Sequence, residues 1–506
     1  MPPRGLPGNA NLEQLRNGAK SFQRAVRAGD AGAAKVVREF HPRLADAQPG
    51  SPELGAFSRA DALLVVARGF DFPSWPRLKS YLETVAAYAR SPHDQPVGGP
   101  VDTEEQRADE FLRLACLNYG DDDPARRLRA AELLADDPGL AAASLYTAAA
   151  AGDTEAVGAF LERDPAAANR QGGPFDWTPL VYAAYARVGD RPLGPAAVQV
   201  AERLLNAGAD PNAGYLWEGL SPPFTALTGA LGSGGGDAPS RDGGLALARL
   251  LLQRGADPND SQALYNEAGT SDDAWIELLL EFGLGTGDGG PWRPRLAPAL
   301  ESPREMVEDA LTAAASNGFA HRVRLLLDHG ADPNGHGTRH PIYHGRSALE
   351  EAALHGHDEI VAVLEAAGAR DSLDAADRFI CAATAGDRAG VDQMLHADPS
   401  VREQAIQRRP EQIVRAAGSE RLDAVALLIE LGFDVNALDR TSPLHVTALH
   451  MAAERGSLAV IQLLVEHGAD PTVRDSGYDS TPAGWAQHFG RADAHVCLAA
   501  LEGRAR

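Results

Sequence analysis

Along most of the chain the apolar positions fall in pairs of short segments with helical spacing rather than in strict alternation. One register recurs. An apolar residue is followed seven positions later by glycine, seven further on by two adjacent apolar residues, and four beyond those by a second glycine. It reads Leu311, Gly318, Leu325-Leu326, Gly330; then Leu349, Gly356, Val363-Leu364, Gly368; then Leu449, Gly456, Leu463-Leu464, Gly468. Each copy predicts a short helix, a glycine turn, a second helix and a glycine stop. Glycine is expected where the chain must take positive φ at a helix C-terminus. The register also places Leu463 in the interface between neighbouring copies.

The segments after the second glycine reinforce the pattern. Gly208-Ala209-Asp210-Pro211-Asn212, Gly255-Ala256-Asp257-Pro258-Asn259, Gly330-Ala331-Asp332-Pro333-Asn334 and Gly468-Ala469-Asp470-Pro471 are near-identical turns. Asp and Asn bond nearby amides there, and Pro cannot extend the preceding helix. Thr178-Pro179 and Thr481-Pro482 open helices, with Thr as cap and Pro in the first turn. This combination resembles the ankyrin repeat, most closely in TALHMAAERGSLAVIQLLVEHGADPTVRD at 447–475. Weaker copies share the spacing, and the resemblance extends over about ten copies across residues 105–503. It implies an all-α ankyrin-repeat solenoid of helix-turn-helix units with β-turn fingers, used for protein binding.

The departures are informative. Gly208 to Gly255 and Gly283 to Gly330 each span 47 residues, where the plain repeat takes about 33. Gly- and Pro-rich insertions fall near 187–197, 231–244, 284–304 and 335–345. Loops on a rigid scaffold are common places for binding. Residues 1–90 form a separate basic segment, partly ankyrin-like through Phe22, Gly29 and Val36-Val37. With its Phe72-Pro73-Ser74-Trp75-Pro76-Arg77-Leu78-Lys79, it looks like the leader module that precedes ankyrin arrays in a group of bacterial proteins. We expect a small helical module with Trp75 in its core, and a Pro- and Gly-rich linker at 91–104.

Charge narrows the partners. The 506 residues carry a formal net charge of −23, yet residues 1–90 carry +5 and the remainder −28. An acidic array disfavours nucleic acid and anionic membrane surfaces. Cys116, Cys381 and Cys497 lack metal-ligand spacing and read as core thiols in a reducing compartment. With no apolar run long enough to span a bilayer, a cytoplasmic monomer without cofactor is expected.

His336, His340 and His344, spaced by four, could offer imidazole ligands to zinc or nickel. Gly337 and Pro341 interrupt the helix that would align them, so we expect a polar finger and no metal. The aromatic residues give a sharper candidate. Phe175, Trp177, Tyr215, Trp217, Trp292 and Tyr343, with Arg293, Arg295 and Arg339, all fall in fingers and would form a continuous binding stripe. Trp, Tyr and Arg dominate binding hot spots. For Trp177, beside a helix start, packing against the next repeat competes with that role.

The expected function is a scaffold or adaptor that grips a protein partner on its finger face, without chemistry. Two alternatives are an enzyme, metal-dependent or otherwise, built on the inserted loops, and an acidic inhibitor of a basic, nucleic-acid-binding partner.

Overall fold

The computed structural model describes residues 6, 10–99, 101–120, 122–189, 194–232, 242–336, 346–370, 373–440 and 444–505. Arg339, His340, Tyr343 and His344 lie outside them, as do most of the insertions at 231–244 and 335–345 and the middle of that at 187–197. The chain divides into two compact units, Met1–Met306 and Val307–Arg506.

Both units are built from short helix pairs, and the glycines behave as their positions require. Gly152 and Gly456 cap their helices in the left-handed region, and Gly208, Gly255, Gly330, Gly368 and Gly468 end second helices with φ between 88° and 97°. Of the two Thr-Pro helix starts expected from the sequence, Thr178 heads helix Pro179–Tyr185 without a side-chain cap bond, whereas the other cap forms. Thr481 accepts from the Gly484 amide at the head of helix Pro482–His488. At the head of helix Ala448–Arg455, Thr447 meets His450 Nδ1 at 2.8 Å, and His450 Nε2 reaches the Ser480 carbonyl of the next finger at 3.2 Å. One TALH motif therefore starts a helix and fastens the repeat after it.

The Asp-Pro-Asn turns do something the spacing alone does not reveal. In each, the aspartate accepts from the amide two residues on, as Asp210 does from Asn212 at 2.9 Å. The asparagine then clasps the next repeat with both ends of its amide. Asn212 Nδ2 donates to the Gly255 carbonyl at 2.9 Å while its Oδ1 accepts from the Asp257 amide at 2.8 Å. Asn169 makes the same pair with Gly208 and Asp210, Asn334 with Gly368 and Arg370, and Asn436 with Gly468 and Asp470.

The first unit begins with the leader helices Leu12–Arg27, Ala31–Phe40, Pro52–Gly55, Arg59–Gly69 and Trp75–Tyr88. Val26, Val37, Leu54, Phe57 and Val65 form a core there. Trp75 does not occupy it. The ring is half-buried at the start of its helix, and Phe72, Leu78 and Tyr81 are the buried residues. The stretch expected as a free linker is held as well: Pro92 is buried, and the Gly98 amide donates to Glu110 Oε1 at 2.6 Å. Ahead of it, strand β1 (Ala89–Arg90) pairs in parallel with β2 (Gly214–Trp217), and β2 pairs antiparallel with β3 (Phe224–Thr225).

In the second unit one core runs from Leu354 to Leu498. Here the structure shifts one sequence expectation by a residue. Leu464 is fully buried and Leu463 only partly so, because the helix turns Leu464 toward the neighbouring copy. Among the described residues no helix is long and apolar enough to cross a membrane.

Leu464→Ala should lower the stability of the second unit by about 2–5 kcal/mol, and Leu463→Ala by clearly less. Asn436→Ala, which removes one clasp, should cost about 1–2 kcal/mol. Urea denaturation followed by circular dichroism checks all three. Equal losses for the two leucines would contradict the assigned register.

Candidate functional site

The first-unit fingers hold the aromatic candidates, and the structure brings most of them together. A tight hairpin, closed by Gly172 and Trp177 exchanging backbone bonds at 3.0 and 3.2 Å, aims Trp177 inward. Trp177 stacks on Tyr215 at 4.8 Å, Tyr215 on Phe224 at 5.5 Å, and Phe175 lies 4.6 Å from Trp177. The stripe thus joins two fingers, while Trp217 lies against His93 and Trp292 against Tyr88 instead. It is not a surface: Phe175, Trp177, Tyr215 and Trp292 are all at most 5% exposed, and Trp217 is half-buried. Rings closed off from solvent cannot anchor a partner, so these residues pack the fold.

The chain itself covers these fingers. Arg90 pairs with Asp176 at 2.6 Å, and β1 fills the free edge of β2, whose next residue, Glu218, donates its amide to the Arg90 carbonyl at 2.8 Å. Tyr88 meets Trp292 edge-on at 4.9 Å, Arg295 lies over both rings, and Arg77 donates to the Pro294 carbonyl at 2.7 Å. Trp292 also donates its indole N–H to the Asn212 carbonyl at 2.9 Å. Arg293 turns back to its own loop, onto the Glu301 carbonyl. Helix Trp75–Tyr88 and β1 therefore take the place that the sequence suggested for a partner.

Beneath the stripe lies a buried cation that sequence reasoning passed over. Arg187, at the edge of the first insertion, donates to the carbonyls of Ala184, Ala186, Gly229 and Gly232 at 2.9–3.0 Å. Burial lowers its pKa to about 10. It ties together the ends of helices Pro179–Tyr185 and Ala226–Leu231. Nearby, burial pushes the Cys116 thiol up to about 12, as expected of an unreactive core cysteine. Cys381 and Cys497 are half-buried.

The second unit carries its own charged cluster. Glu351, 2% exposed, accepts from Arg346 at 2.6 Å and from Ser316 Oγ at 3.2 Å, with Arg415 at 3.8 Å and His355 at 3.6 Å. Burial, and then the Arg415 charge, hold the His355 pKa down to about 4. Burial also lowers the pKa values of His357 and His450. His336, the one described member of the histidine trio, is exposed.

At the far end of this unit a finger tip is built around Asp475. It accepts from the amides of Gly477, Tyr478 and Ser480 and from the Trp485 indole, at 2.5–3.2 Å. Burial works against its charge, but these donors win and its pKa falls below the usual value. On the tip, Tyr478 stands 75% exposed. Its Gly-Tyr-Asp setting was the available signal in the sequence.

Comparison with known proteins agrees with this architecture. A family model described as ankyrin repeats (3 copies) matches residues 297–373 and 379–475, and an ankyrin repeat model matches 175–214. The chain is an ankyrin repeat domain-containing protein. Among curated proteins it is similar to the Ankyrin repeat and KH domain-containing protein mask-1 of Caenorhabditis elegans, 27% identical over 165 residues, 32% of this chain and 6% of that protein. It is also similar to the Putative E3 ubiquitin-protein ligase XBAT34 of Arabidopsis thaliana, 32% identical over 91 residues, 17% of this chain and 24% of that protein. The matched region thus spans less than a quarter of either relative. Ankyrin repeats are a protein–protein interaction module.

Two outcomes are expected. Trp177→Ala and Trp292→Ala should each destabilise the first unit, by about 3–5 kcal/mol, because they open cavities in a packed interior. Thermal unfolding of the two variants tests this, and unchanged midpoints would return the stripe to the surface. The second concerns acid. His355 titrates near 6.5 when unfolded and near 4 when folded, so between those values the unfolded chain binds more protons. The His355 contribution, roughly 3 kcal/mol, is intact above about pH 6.5 and is lost progressively as pH falls toward 4. His355→Gln should flatten that part of the stability–pH curve. An unaltered slope in the variant would contradict the assignment.

Proposed function

We propose that the chain is a protein-binding scaffold whose partner is gripped by the finger side of the second unit, with Tyr478 as a central anchor. The observation that carries this reading is the setting of Tyr478. It is the most exposed large apolar or aromatic side chain among the described residues, yet its backbone is fixed by the bonds to Asp475. A rigidly presented aromatic gains contact area on binding while losing little conformational freedom, which is the usual make-up of a hot spot. The first-unit fingers support the same reading by exclusion, since most of their aromatics are buried, Trp292 against Tyr88 and Phe175, Trp177 and Tyr215 against neighbouring rings. The mechanism is recognition by shape and aromatic contact, and no bond is made or broken.

The test begins with capture of partners by the full chain and mass spectrometry, followed by affinity measurement with the purified partner. Tyr478→Ala should weaken the complex by about thirtyfold or more, the loss expected for a central aromatic. Its thermal midpoint should stay that of the parent. Glu466→Ala, on an exposed helix position of the same unit, should bind normally. Parent-like affinity in Tyr478→Ala would show that the partner uses another face.

A further inference from the structure

His93, Asp94 and Glu218 come together in the first unit although the last two are 124 positions apart in sequence. His93 Nε2 lies 3.3 Å from Asp94 Oδ1 and 3.0 Å from Glu218 Oε1, and the three ligand atoms all fall within 4.8 Å of one another. Bond lengths of 2.0–2.1 Å in a tetrahedral zinc site give ligand-to-ligand edges of about 3.3 Å. The two nitrogen-to-oxygen separations already have that size. We propose that these residues form a binding site for one divalent borderline metal ion of the zinc type, with one nitrogen and two oxygen ligands from the protein and the remaining position left to water.

Electrostatics favours a cation here. Among the described residues, neither Asp94 nor Glu218 has an Arg or Lys partner, and the imidazole is the only group offsetting their two charges. Arg90 of β1, whose carbonyl accepts from the Glu218 amide, commits its guanidinium to Asp176 and to the carbonyls of Ala87 and Ala89. His93 Nδ1 makes no hydrogen bond, so the ring meets polar groups through Nε2 alone. In a neutral ring one N–H on Nε2 cannot point well at both oxygens, whereas an ion between the three groups is attracted to all of them.

The His93 ring and the Glu218 backbone are also held in place before any ion arrives, while the Asp94 side chain is 69% exposed. The His93 ring lies against Trp217 at 4.5 Å, and its Cβ packs so closely on Gly120 that a side chain there would come within 2.6 Å. Glu218 sits at φ 51°, a left-handed conformation unusual for a non-glycine residue, and follows directly on the strand paired with β1. Such backbone strain concentrates at functional sites. Because His93 and Asp94 belong to the segment after the leader module and Glu218 to an array finger, a bound ion would clip the two together. This is a different place from the His336, His340 and His344 trio.

The probe is zinc alone, titrated calorimetrically into full-length, chelator-treated protein without a histidine tag. One equivalent should bind with a dissociation constant below about 100 µM, a free energy of at least about 5 kcal/mol. Zinc should raise the thermal midpoint of the parent. Glu218→Gln, an isosteric change at a half-exposed side chain, should weaken that site at least tenfold and abolish the midpoint shift. His93→Asn should do the same, and His336→Ala should leave both readouts intact. Absence of saturable binding in the parent, or equal binding in the parent and Glu218→Gln, would overturn the proposal.

Discussion

Asparagine clasping sets the frame on which everything else in this protein depends. A helix pair of some twenty-odd residues cannot bury its own apolar face, so each repeat is stable only in register with its neighbours. Apolar packing between helices rewards contact but tolerates sliding. The amide of Asn212 or Asn436 does not, because its donor and acceptor must meet one carbonyl and one N–H of the next turn together. The aspartate two residues earlier fixes the turn from which the asparagine reaches. Each clasp is worth little alone, about 1–2 kcal/mol, but it is repeated along both units. Burial supplies the stability and the clasps supply the alignment.

With register fixed, the fingers project at set positions, and the two units use theirs differently. In the first unit the fingers carry the large rings, and the chain spends them on itself. Trp177, Tyr215 and Phe224 stack beneath the surface, and Trp292 receives Tyr88 from the leader module. In the second unit the described finger tips carry few large rings, and the one at 474–480 turns its tyrosine outward. The same turn geometry therefore builds an internal joint in one place and an open contact in another. The difference lies in the residues set on the fingers and in whether another segment reaches them.

Much of the fold was legible because it rests on local rules. Glycine at Gly152, Gly255 or Gly456 reports a positive φ, Thr before Pro reports a helix start, and the seven-residue spacing reports paired helices. Those rules hold within a single repeat. What the sequence hid was everything that depends on which segment returns to meet which. Spacing placed these rings on the fingers, but their burial could not be read from it, since no periodicity says that β1 will lie along β2. Arg187 drew no notice at the edge of an insertion, because the four carbonyls it binds come from two separate helix ends. His93 and Glu218 carry no shared motif at all. Trp75, the most conspicuous residue of the leader, misled for the opposite reason: a large ring at a helix start can lie half in solvent while the smaller Phe72 and Leu78 fill the core.

The uneven charge illustrates how magnitude decides between readings. A basic leader followed by an acidic array suggests electrostatic attraction, and Arg90 does meet Asp176. Yet Asp176 is 58% exposed, and a pair of that kind contributes about 0–1 kcal/mol and is weakened by salt. Burying the ring of Trp292 against Tyr88 contributes about 1.5–3 kcal/mol, without such screening. The β1–β2 ladder adds backbone bonds that only one register satisfies. Ring burial and strand pairing therefore hold the leader on the fingers, and charge adds little. It follows that the net charge of −23 says less about an outside partner than its size suggests. Part of the basic complement is already directed inward, and the surface left for recognition is set by shape and by the few exposed rings.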